Sequence, residues 1–155
     1  MIETQRAVES DIELLRMAAV SAFLDDERYK PLNARPGGPP GHDLLENHIQ
    51  WIRDHDYFKC VVHGDIAGGC IVKRHPPHCQ LFGIFLHSNF IGQGIGSLFL
   101  RAVIKLYPKA SPWSLETPDY AERNHRFYEH NGFTVSEKLA PDPSLGYGFV
   151  LYIRA

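Results

Sequence analysis

The sequence predicts an α+β domain in three α/β/α layers: a mixed, mainly antiparallel sheet of six to seven strands with helices on both faces. Three observations carry this. Apolar residues recur with periods of two and of 3.6 in the order β-α-α-β-β-β-α-β-α-β-β. The runs Tyr57–His63 and Ile66–Lys73 flank Gly64-Asp65, a two-residue hairpin turn of the Gly-Asp type. Only the helices that cross between later strands demand parallel neighbours, so the other pairings fall antiparallel.

Ile2–Val8 alternates loosely and reads as a first strand. Ser10 followed by Glu13 has the form of a capping box, opening a helix with Ile12, Leu15, Ala19, Ala22 and Phe23 on one face. Lys30–Gly41 mixes proline and glycine too densely for regular structure and reads as a mobile loop beside a substrate cleft. A second helix runs from about Asp43 to Asp54, with Leu45, His48, Ile49 and Ile52 inward. After the hairpin, His75-Pro76-Pro77-His78 turns the chain into Leu81–Leu86, a buried strand in which Gly83 marks a bulge or a close backbone approach. Trp113–Thr117 is a short strand. Asp119 and Glu122 offer a second capping box, for a helix that ends at the left-handed pair Asn131-Gly132. Phe133–Leu139 and Tyr147–Ile153 close the fold as an antiparallel pair.

The most informative stretch is Phe90–Leu106. Gly92, Gly94 and Gly96 alternate directly ahead of a helix whose Ile95, Leu98, Phe99, Ala102, Val103 and Leu106 form one apolar stripe. Glycines there let main-chain N–H groups converge on an anion at the positive end of the helix dipole, which implies a phosphate or pyrophosphate. The plainer alternative is a tight turn using glycine only for positive φ. Two nucleotide loops fail on residues: Ser97-Leu98 follows Gly96 where a P-loop needs Gly-Lys-Ser/Thr, and Phe99 stands where a dinucleotide fingerprint needs glycine.

Composition narrows the class further. A hydrophobic content of 44% and a charged content of 22% are globular values, and 155 residues suit a single domain, 1–155. A net charge of −2 leaves no footprint for nucleic acid or for an anionic membrane. No apolar run approaches the roughly 20 residues that span a bilayer. Met1-Ile2-Glu3-Thr4 has neither a basic nor an apolar leader segment, and three cysteines are too few and too odd for a disulfide framework, so the expected location is cytoplasmic.

Gln93-Gly94-Ile95-Gly96 after a buried strand resembles the pyrophosphate loop of the GNAT-superfamily N-acetyltransferases. Gly94 and Gly96 take its two glycine positions, and Ile91 departs from its usual Gln or Arg. A second signature, Phe/Leu-Tyr-x-x-x-Gly-Phe, is matched by Phe127-Tyr128-Glu129-His130-Asn131-Gly132-Phe133. The resemblance covers most of the chain, and its specificity sits in residues 81–133.

The resemblance implies acetyl-CoA as co-substrate, without a metal. Its pantetheine would lie along the backbone of Ile84, Phe85 and Leu86, where a bulge opens the slot between the fourth and fifth strands. Its pyrophosphate would lie on the amides of Gly92, Gln93, Gly94, Ile95, Gly96 and Ser97. Tyr128 would be the general acid on the departing thiolate, a role suited to a phenol that stays protonated at pH 7. An asparagine usual seven residues earlier is Ala121 here, and Asn124 is the candidate substitute for its contact to CoA. Glu116, in Leu115-Glu116-Thr117, stands where relatives resembling the ribosomal-protein alanine acetyltransferases have their base. His87, His78 and a water are the alternatives.

The implied reaction is direct attack of a primary amine on the thioester, driven by orientation and by a main-chain amide near Leu86 that polarises the carbonyl. The resemblance leaves the amine open between a small molecule, a peptide and a protein; acetyl- or longer acyl-CoA as donor and a homodimer stay open too. The rival from another class is a catalytically silent acyl-CoA-binding or regulatory module. His75, His78 and Cys79 invite a metal reading but lack a second ligand pair at zinc spacing, and a ping-pong route through Cys79 has no partner base.

Overall fold

A computed structural model describes residues 2–155; Met1, the first residue of the N-terminal stretch read above, lies outside the described residues. Seven strands form one sheet: β1 (Ile2–Arg6), β2 (Asp56–Val62), β3 (Asp65–His75), β4 (His78–Leu86), β5 (Trp113–Pro118), β6 (Thr134–Lys138) and β7 (Phe149–Arg154). Their spatial order is β1-β2-β3-β4-β5-β7-β6. Every neighbouring pair is antiparallel except β4 and β5. That pair is parallel because helix α3 (Ile95–Lys105) crosses between them. The other helices are α1 (Ile12–Asp26), α2 (Leu45–Asp54) and α4 (Glu122–His130).

Two apolar clusters, one on each face of the sheet, make the three layers. Phe99, Leu100 and Val103 of α3 and Tyr128 of α4 pack on Cys60, Cys70, Val72 and Leu81. Leu15, Ala18, Ala19 and Ala22 of α1 and Trp51 of α2 pack on Tyr57, Ile71 and Phe85. Leu81 and Phe85 have the same parity yet face opposite clusters. The cause is a bulge: Ile71 pairs with Gly83 and Val72 with Leu81, which leaves Phe82 as the extra residue beside Gly83.

Several local expectations shift. The hairpin turn is His63-Gly64, both at positive φ (50° and 84°), and Val62 pairs with Asp65. Ser10 does not cap α1. Asp11 instead accepts the Val8 N–H at 2.9 Å and pairs with Lys59 at 2.9 Å, ahead of a helix that starts at Ile12. Asp119 likewise accepts the Gly148 N–H at 2.9 Å and ties the end of β5 to β7, so it does not cap α4. In α2 His48 and Trp51 are buried and Ile52 packs partly buried against the same cluster as Trp51, while Leu45 is exposed. In α3 the buried stripe is Ile95, Phe99, Leu100 and Val103, and Leu98 and Leu106 face outward. At the end of α4, Gly132 alone takes positive φ (90°). Among the described residues no helix is long and apolar enough to cross a membrane.

Candidate active site

β4 and β5 pair only near their N-terminal ends, Cys79 with Trp113 and Gln80 with Ser114. Beyond that point β4 pairs with β3 alone, and β5 turns away to pair with β7 along its whole length. The C-terminal ends of two parallel strands therefore stand apart. The main-chain groups of Ile84–Leu86 that face β5 have no strand partner, as suits a ligand at a parallel-strand switch point.

The glycine turn closes this gap. Gly92 and Gly94 have φ of 82° and 78°, and a Cβ on either would meet nothing within 4 Å. Gly94 is the N-cap of α3 and no side chain caps the helix, so its first-turn N–H groups are left for a ligand or water. Gly96 needs no positive φ; its Cβ would press on Phe127 at 3.1 Å. Each glycine thus has a local reason, and the uncapped amides are what make the turn a candidate anion site.

A single cleft of about 890 Å³ runs from this turn along β4 to the Pro/Gly segment. Ile84, Phe85, Leu86, Gly92, Gly94, Gly96, Ser97, Glu116, Asn124 and Tyr128 line it. Gln93 and Ile95 do not: the Gln93 amide donates to the Asn89 carbonyl at 3.0 Å, and Ile95 is a core residue.

Tyr128 is buried, with its ring edge-to-face on Phe127 (5.3 Å) and Phe133 (6.0 Å). Among the described residues no group hydrogen-bonds its hydroxyl. Burial pushes the phenol well above its ordinary range, and the nearby Asp26 charge adds to the rise. It is held in its proton-donating form. Glu116 is exposed on β5, opposite Leu151 of β7.

Neither alternative histidine lines the cleft. His78 bonds Ser114 at 2.5 Å, and His87 accepts the Asn89 N–H at 3.2 Å. Cys79 is buried in the core, where burial pushes its thiol up. Among the described residues no three His, Cys, Asp or Glu side chains are grouped as a metal site.

Sequence reading missed an acidic corner. Asp26, the last residue of α1, accepts from Arg123 Nη2 at 2.6 Å and from Asn124 Nδ2 at 3.4 Å. Arg123 Nη1 also holds Asp25 at 2.7 Å. Burial pushes the Asp26 carboxyl up in spite of Arg123. Asn124, the candidate CoA contact, is thereby turned toward Asp26. No motif marks this corner, because its partners lie almost a hundred residues apart.

A mixed sheet split between its two parallel strands, with a glycine turn and a helix N-terminus at the split, is the fold of N-acetyltransferases of the GNAT type. Residues 21–133 match the model of the acetyltransferase (GNAT) family, and the chain belongs to that family. The ribosomal-protein-S18-alanine N-acetyltransferase from Escherichia coli is 16% identical at a TM-score of 0.76, over 99% of this chain and 93% of that one. The PaiA N-acetyltransferase from Thermoplasma acidophilum, solved with coenzyme A, is 18% identical at 0.74, over 100% and 99%. RimL, a ribosomal L7/L12 α-N-protein acetyltransferase in complex with coenzyme A, is 16% identical at 0.75, over 99% and 93%. No curated protein matches the chain by sequence.

Proposed function

We propose that the protein is a single-domain, acetyl-CoA-dependent N-acetyltransferase acting on a primary amine by direct attack. The observation that carries this reading is the unpaired edge of Ile84–Leu86, which leads straight to uncapped amides at the start of α3. A pantetheine arm carries amide groups at strand-like spacing and would satisfy that edge. A pyrophosphate would satisfy the amides of the turn. The amine attacks the thioester carbon, an N–H of the β4 edge near Leu86 steadies the oxyanion, and the C–S bond breaks. Tyr128 gives its proton to the departing sulfur. Glu116 takes the proton that the attacking ammonium must lose, directly or through water.

Titration calorimetry with acetyl-CoA tests the donor site. Gly96→Asp puts a carboxylate among the amides and should weaken acetyl-CoA binding roughly 100-fold by like-charge repulsion. Crowding of Phe127, whose ring edge is 3.1 Å from the new Cβ, should cost only about 1 kcal/mol of stability. Unchanged affinity in that variant would remove the glycine turn from the binding site. Tight acetyl-CoA binding without thiol release for any amine would favour the silent binding module.

A further inference from the structure

Arg35–Gly41 lines the cleft as a strap anchored at both ends. At one end the Arg35 N–H donates to the Leu145 carbonyl at 2.9 Å, and the Tyr147 hydroxyl reaches the Pro36 carbonyl at 3.5 Å. At the other, the His42 carbonyl accepts from Nε2 of the fully buried His48 at 2.6 Å, whose Nδ1 meets the Tyr57 hydroxyl at 2.8 Å. Between the anchors the strap rests on the cleft walls. A Cβ on Gly37 would overlap the Tyr120 hydroxyl, one on Gly38 would lie 2.8 Å from the Phe23 ring, and Pro39 sits over Gly83 at the bulge.

Beneath the strap the walls are aromatic. Tyr120 stands edge-to-face on Tyr147 at 5.0 Å, and Tyr147 on Phe149 at 5.5 Å, with Phe23 on the α1 side. The charges in the lining favour a cation: Asp26, Glu27, Asp43 and Glu116 stand against Arg35 and Arg123. Arg123 already holds Asp26 at 2.6 Å, so the corner suits one ammonium better than a polycation.

We propose that the acceptor is a small primary amine on an aromatic body, held with its ring among Phe23, Tyr120, Tyr147 and Phe149 and its ammonium between Asp26 and Glu116. The strap along the cleft favours a small amine over the N-terminus of a folded protein. This rests on the reading of the cleft as an acetyl-CoA site.

The test measures kcat/KM by thiol release with 2-phenylethylamine, ethanolamine, spermidine and a folded protein bearing an N-terminal alanine, alongside acetyl-CoA calorimetry. Burying the ring should make 2-phenylethylamine roughly 10- to 100-fold better than ethanolamine, with spermidine no better than ethanolamine and the protein inert. In Tyr120→Ala and Phe149→Leu, each checked by thermal unfolding, that preference should fall by about tenfold in at least one. Preference for ethanolamine, spermidine or the protein overturns the acceptor assignment and leaves the transferase standing. So does a preference that neither variant moves, whereas acetyl-CoA binding with no amine turned over overturns the acceptor assignment and favours the silent binding module. Absence of acetyl-CoA binding overturns both readings.

Discussion

Removing the Tyr128 hydroxyl separates chemistry from packing more cleanly than any other single change at this site. In Tyr128→Phe no protein hydrogen bond is lost, because among the described residues none reaches that oxygen. The ring keeps its contacts with Phe127, Phe133 and Tyr152, at 5.3, 6.0 and 6.0 Å. Stability should therefore move by no more than about 0.5 kcal/mol, and acetyl-CoA affinity should hardly change. The turnover number should fall about 100-fold, equivalent to about 2.7 kcal/mol of transition-state stabilisation and at the low end for general acid catalysis. A larger loss is not expected, since a thiol of pKa about 8.5 is a tolerable leaving group unaided.

Burial holds the phenol protonated, so the wild-type rate should show no alkaline limb from Tyr128 up to about pH 10. The assay is thiol release, repeated with an acyl donor whose thiol is more acidic. The deficit of Tyr128→Phe should shrink with that donor, because less protonation is needed. A full-speed variant with the same donor dependence as the parent would reduce Tyr128 to a core residue.

The remaining expectations concern the base and the anchor of the strap. Glu116→Gln keeps the shape of the side chain and removes its basicity, so the rate should fall roughly 10²- to 10⁴-fold. An unaltered pH–rate profile would place the base elsewhere, in a bound water before His87 or His78, which do not line the cleft. His48 is buried as the neutral ring, and burial lowers its pKa below the ordinary histidine range. Its stabilisation should be complete above about pH 6.5 and decline as the pH falls toward the folded pKa, since the unfolded chain binds the proton more readily. His48→Gln should cost about 1–3 kcal/mol at pH 7.5 and visibly less at pH 5 by denaturant unfolding. An equal cost at both pH values would mean that the ring does not titrate against folding.

The local sequence determined the elements and the glycine turn at the start of α3. Alternation, the apolar stripe after Gly94 and the Phe-Tyr-x-x-x-Gly-Phe run each report on neighbours in the chain, so the strand, turn and helix order and the position of Tyr128 were legible from them. Tertiary structure decided whatever had two local solutions. His63-Gly64 and Gly64-Asp65 both suit a hairpin, and pairing of Val62 with Asp65 selected the first. Asp11 outcompeted Ser10 because Lys59, from β2, reached the same carboxylate, and Asp119 was drawn to the Gly148 amide of the closing strands. The strap-lined end of the cleft was invisible for a related reason. Asp26 meets Arg123, Gly37 meets Tyr120 and Pro36 meets Tyr147 only once the sheet has brought α1, the strap and the last hairpin together. No periodicity records such contacts, because their energy depends on distance in space and not on spacing along the chain.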